Sequence, residues 1–112
     1  MASSNSAVAE PEIQEQEQKA KPKQQPRYHV ILWDDPEHTY GYVIDMMREL
    51  FHMTETAGRK LAEEVDTTGR AICLTTTLEH AELKRDQIKA YGADPCSMKS
   101  KGSMTASIEA AR

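Results

Sequence analysis

Tyr28-His29-Val30-Ile31-Leu32-Trp33 runs directly into Asp34-Asp35-Pro36-Glu37-His38, and Thr39 then opens Tyr40-Gly41-Tyr42-Val43-Ile44-Asp45-Met46-Met47. The first six residues are β-branched and aromatic, as a strand requires, and Asp-Asp-Pro stops that strand in a turn. After Thr39 the period changes. Tyr40, Val43, Met47 and Leu50 recur at helical spacing, with Met46 and Phe51 alongside, so one apolar stripe of a helix follows the acidic loop.

Outward from this unit the same reasoning applies. Thr54 is a candidate N-cap for a second helix, in which Ala57, Leu61 and Val65 repeat every four residues. Gly69 supplies a left-handed position to end it. Arg70-Ala71-Ile72-Cys73-Leu74-Thr75 reads as a second strand. Thr76-Thr77-Leu78-Glu79 matches a capping box, with Thr76 as cap and Glu79 three residues on. The third helix then carries Leu78, Ala81, Ile88 and Tyr91 inward and closes at Gly92. Asp94 to Gly102 is a loop by composition, and Ser103 to Ile108 alternates weakly, as an edge strand does. The order β-α-α-β-α-β shows no internal repeat and predicts an α+β fold, a three-stranded antiparallel sheet with three helices packed on one face.

The 112-residue chain has room for one domain. Its aromatic residues (Tyr28, Trp33, Tyr40, Tyr42, Phe51, Tyr91) all follow residue 27. Residues 1–26 are mostly Gln, Glu, Lys and Pro. They cannot bury enough surface to offset an ordering cost of about 1–2 kcal/mol per residue, so a disordered extension, a tether or threadable tail, is expected ahead of a domain over 27–112. A net charge of −4 argues against nucleic-acid partners. No apolar run approaches the ~20 residues of a membrane helix. The start lacks the pattern of a secretory signal, and two cysteines, Cys73 and Cys96, make neither a disulfide framework nor a Cys-rich zinc site, so a cytoplasmic location is expected.

The densest polar cluster is Asp34 to His38. Turn chemistry and the helix dipole account for it without any ligand. Three functional readings stand beside that one: a divalent-metal or phosphoryl site, with Asp34 and Asp35 as hard oxygen ligands of a small enzyme; a transition-metal site on His38 with an acid; and capture of a cationic group, such as a partner's free α-amine, by convergent carboxylates beside an apolar pocket. Cys73 sits mid-strand with no base nearby, and the scattered glycines make no phosphate loop. Glu79, Glu82, Lys84 and Arg85 form a solvated face of the third helix.

Val30-Ile31-Leu32, Asp34-Asp35, Tyr42-Val43-Ile44-Asp45 and Gly69-Arg70-Ala71-Ile72-Cys73, taken together and in this order, resemble the ClpS adaptors of the Clp ATP-dependent protease. The resemblance runs from Tyr28 to about Glu109. It implies an adaptor rather than an enzyme, without cofactor, metal or catalytic residue. Such an adaptor binds N-degron substrates, which begin with a free α-amine and a bulky hydrophobic residue, and delivers them as a monomer to a Clp AAA+ unfoldase of ClpA or ClpC type. The family's amine contacts fall on Asp34, Asp35 and Asp66, its apolar pocket on Tyr40, Val43, Ala62 and Met104, and its unfoldase contacts on Glu79 and Lys84. This chain departs from the family pattern at several of these. Asp34 and Asp66 replace Asn and His, Pro36 replaces an Asp, and Tyr40 and Ala62 replace methionines. The departures imply either an adaptor with a more acidic amine site and an altered first-residue preference among Phe, Leu, Trp and Tyr, or a paralogue that docks on the unfoldase without reading N-degrons.

Overall fold

The computed structural model describes residues 26–95 and 102–111. All but Pro26 of the extension expected over 1–26, Cys96, and most of the loop expected from Asp94 to Gly102 lie outside them. The elements in chain order are β1 (Tyr28–Trp33), α1 (Tyr40–Phe51), α2 (Glu55–Thr68), β2 (Arg70–Thr76), α3 (Leu78–Lys89) and β3 (Ala106–Ala110). This is the expected β-α-α-β-α-β order, with a three-stranded antiparallel sheet.

The most apolar strand is the central one. β1 lies between β2 and β3, both antiparallel to it, so its residues are covered from both edges. Val30 and Leu32 are fully buried and face the helices, opposite Ile108 and Ala106 of β3. Their neighbours in the core are Met46 and Met47 of α1, Leu61 and Val65 of α2, and Ala81 and Ile88 of α3, so all three helices share one face of the sheet. Removing a large apolar side chain from water is worth about 1.5–3 kcal/mol, and this shared cluster is where most such burial occurs. In β2 the register skips a residue: Val30 pairs with Leu74 but Ile31 with Ile72. Cys73 is the extra residue of this bulge.

Each helix begins at a threonine whose hydroxyl takes up an orphan amide: Thr39 accepts from Tyr42, Thr54 from Ala57 and Thr77 from His80. The third of these corrects the capping-box reading. Thr76 is the last residue of β2, and the cap falls one residue later, so Glu79 does not occupy the reciprocal position. Helix α1 packs so closely on α2 that a Cβ on Gly58 would stand 3.4 Å from the Ile44 backbone.

Other expected faces shift as well. Leu78 is exposed at the first position of α3, Ala57 is exposed on α2, and Tyr40 is partly exposed at the start of α1. First-turn residues overhang the body of the domain rather than facing its centre. The third helix ends at Lys89, and Tyr91 follows it, packed against the core from outside the helix. The last strand begins at Ala106 rather than Ser103, which leaves Met104 buried just ahead of it.

Candidate functional site

The loop between β1 and α1 is held by its own side chains. The amide of Asp34 donates to the carbonyl of Gly69 (2.9 Å), which ties the loop to the α2–β2 turn. Asp34 Oδ1 accepts from the amide of Asp35 (2.9 Å), and Asp35 Oδ1 accepts from that of Glu37 (2.8 Å). His38 is folded inward, with Nδ1 3.0 Å from Asp35 Oδ2 and Nε2 2.8 Å from the carbonyl oxygen of Gly102. Its ring stands 4.6 Å from that of Tyr42, which in turn meets Tyr91 edge-on at 5.4 Å. Thus the turn chemistry expected of Asp-Asp-Pro is present, and it brings the loop against the segment that contains Met104.

A buried acid completes the frame. Asp94, 3% exposed, accepts the amide of Thr39 through Oδ2 at 2.7 Å and so fixes the start of α1. The phenol of Tyr42 donates to the carbonyl of Gly92 (2.6 Å), and burial raises its pKa above the usual tyrosine value. The sequence reading missed Asp94. It lies 55 residues from Thr39 in a stretch with no helical or strand pattern, so no local signal marks it.

These supports surround a small cavity of about 90 Å³. Its lining includes Asp34 and Asp35 from the loop, Tyr40 and Val43 from α1, Ala62 and Asp66 from α2, and Met104 from ahead of β3. The residues proposed for an amine site and those proposed for an apolar pocket therefore meet at one place. Val43, Ala62 and Met104 are buried, whereas Asp34 and Asp66 are exposed at its rim. One cross-link joins the two sets: the phenol of Tyr40 donates to Asp66 Oδ2 at 2.8 Å. That bond, with the negative charge of Asp66 beside it, raises the Tyr40 pKa, so the phenol remains a donor at neutral pH.

Chemically the rim is a set of carboxylate oxygens beside a greasy floor, suited to a cationic group joined to an apolar one. Among the described residues no group of three or more His, Cys, Asp and Glu side chains could hold a metal ion. Burial pushes the Cys73 thiol up to about 12, so it is no nucleophile at neutral pH.

Glu79 and Lys84 sit apart from this cavity, on α3. Glu79 is exposed in the first turn. Lys84 is engaged instead: its ammonium donates to the carbonyl of Leu50 (2.5 Å) and lies 5.5 Å from the centre of the Phe51 ring, which fastens α3 to the end of α1. Five residues apart, the two project about 140° from each other around the helix. Leu83, four residues from Glu79 and 53% exposed, shares the outward face more closely than Lys84 does.

Comparison with known proteins places this fold. The profile of the family described as ATP-dependent Clp protease adaptor protein ClpS matches residues 23–95. Among solved structures the fold is similar to that of Agrobacterium tumefaciens ClpS2 bound to L-phenylalaninamide. That match has a TM-score of 0.69 and 19% identity, and covers 79% of this chain and 100% of that one. The matched profile spans the acidic loop, all three helices and two of the three strands. This chain is a member of the ClpS family of Clp protease adaptors.

Proposed function

We propose that the chain binds proteins that begin with a free α-amine and a bulky hydrophobic residue, and delivers them, as a monomer in the cytoplasm and without catalysis, to a Clp AAA+ unfoldase of ClpA or ClpC type. The observation that carries this reading is the meeting of Asp34, Asp35 and Asp66 with Val43, Ala62 and Met104 around one cavity. An α-amine, with a pKa of about 7.7–8.0, is mostly cationic at neutral pH and brings three N–H groups that need acceptors once desolvated. Charge-assisted bonds to carboxylates supply about 1.5–3 kcal/mol each. The adjoining side chain gains by apolar burial in the same event. L-phenylalaninamide, the ligand of the similar ClpS2 structure, presents an α-amine next to an apolar side chain, which supports the same pairing here.

The test is fluorescence anisotropy of labelled peptides beginning with free Leu or Phe, each beside its acetylated twin. Acetylation removes the cation and should weaken binding by about tenfold or more, and added salt should weaken binding of the free-amine form. An acetylated peptide that binds as tightly as its parent overturns the mechanism. A second reading, a paralogue that docks on the unfoldase without reading N-degrons, draws on the small volume of the cavity and the prior engagement of Asp66 by Tyr40. Undetectable binding of every peptide together with retained unfoldase binding selects it. For the unfoldase contact, the exposed face of α3 with Glu79 and Leu83 is the better candidate surface, since Lys84 is held against α1.

A further inference from the structure

The wall of the cavity and its acid are tied to each other. Tyr40 is the first residue of α1 and Asp66 lies in the last turn of α2, and their 2.8 Å bond runs from one helix to the other beside the cavity they both line. With the bond made, the space is about 90 Å³. An enclosed apolar cavity of about 150 Å³ takes up a benzene ring, so this smaller, open-rimmed space accommodates a short aliphatic group more readily than a phenyl ring. The enclosing residues Val43, Ala62, Val65 and Met104 are packed in the core and have little freedom to retreat. Tyr40, 39% exposed, is the aromatic side chain at the rim, and once its bond to Asp66 is broken it has room to swing outward.

We propose that Tyr40 is the specificity-determining residue of this pocket: held to Asp66, it admits aliphatic first residues and requires aromatic ones to displace its phenol. The proposal rests on the N-degron reading and narrows it to a substrate class. The bond has two separable effects. It occupies part of the Asp66 carboxylate, a competition that every free-amine peptide meets equally. It also holds the ring in the space that a phenyl group would need, a cost that falls on aromatic peptides alone. The ratio of affinities for two peptides that differ only in the first residue therefore isolates the second effect. A merely structural role for Tyr40 would leave that ratio unchanged.

The experiment measures anisotropy of free-amine Leu and Phe peptides, with acetylated controls, on the full chain and on its Tyr40→Phe and Tyr40→Ala variants. Thermal melts confirm that each variant is folded. The parent chain should bind the Leu peptide several-fold more tightly. Tyr40→Phe keeps the ring but cuts its tie, and should shift the Phe-to-Leu affinity ratio toward Phe by about fivefold, the loss of one net hydrogen bond. Tyr40→Ala, which also frees volume, should shift it at least as far. An unchanged ratio in both variants overturns the proposal, as does a parent chain that already prefers Phe. If free and acetylated peptides bind the parent alike, the adaptor reading fails and the proposal with it, and the acetylated controls tell that failure from an unchanged ratio.

Discussion

Gly69 joins the fold to the site through a single residue. Its amide donates to the carbonyl of Val65 and ends α2, while its carbonyl accepts the amide of Asp34 and sets the height of the acidic loop. Its φ of +94° is one that side-chain-bearing residues rarely adopt, yet a Cβ placed there would meet nothing within 4 Å. Any cost of substitution is therefore conformational and not steric. Gly69→Ala should lose about 1–2 kcal/mol in urea unfolding without a new clash to relieve. It should also weaken free-amine peptides, because Asp34 would shift with the turn. A variant as stable as the parent would show that the turn relaxes without strain. Asp66 offers a contrast at the same scale. Nothing in its local sequence distinguishes it from the other acids of α2, and only the fold brings it to Tyr40, 26 residues away.

The elements were legible to the extent that their determinants are local. β1 announces itself because six consecutive residues suit a pleated, covered strand, and α1 because its apolar period follows a threonine after a Pro turn. Ambiguity entered where neighbours compete. Thr76 and Thr77 both suit a cap, and the spacing of Glu79 favours Thr76, but pairing of Thr76 with Tyr28 keeps it in β2 and leaves the cap to Thr77. Met104 reads as part of an alternating strand, yet it is buried as a floor of the cavity before the ladder begins. Of the site, the Asp34-Asp35 loop shows directly in the sequence. Asp66 and the pocket walls came from the family resemblance, and Asp94 from neither, since its partner Thr39 is distant along the chain. The cap assignment is open to measurement. Thr77→Ala should cost about 1 kcal/mol, the usual loss for an N-cap, whereas Thr76→Ala, which gives up an exposed contact with His80, should cost less than half of that. Equal losses from the two would mean that the hydroxyls share the cap.

For the molecule as a whole, the packing that encloses the site also fixes how the fold responds to alkali. Cys73 at the bulge of β2 and Tyr91 after α3 are each pushed up to about 12, Cys73 by burial and Tyr91 by burial and then its bond to Glu49. Burial raises Tyr42 in the same direction. All three are neutral when protonated, and unfolding frees them to ionise at their ordinary values, about 8.5 for a thiol and 10 for a phenol. Between the unfolded and the folded pKa, the native state holds protons that the unfolded chain has lost, so stability falls as pH rises. Below about pH 8 these groups are protonated in both states and contribute no slope. From about pH 9 the thiol leads, with a limiting loss of about 1.4 kcal/mol per pH unit for a group so deeply buried, and the phenols add to it above pH 10. Urea midpoints recorded from pH 7 to 11 should therefore be level at first and then decline. Cys73→Ala keeps a small apolar group at the bulge and should flatten the decline between pH 9 and 10 while leaving the steeper part above it. A parent chain that holds its midpoint through pH 11, or a Cys73→Ala chain that declines as the parent does from pH 9, would mean that the core opens to solvent at β2 well before the domain unfolds.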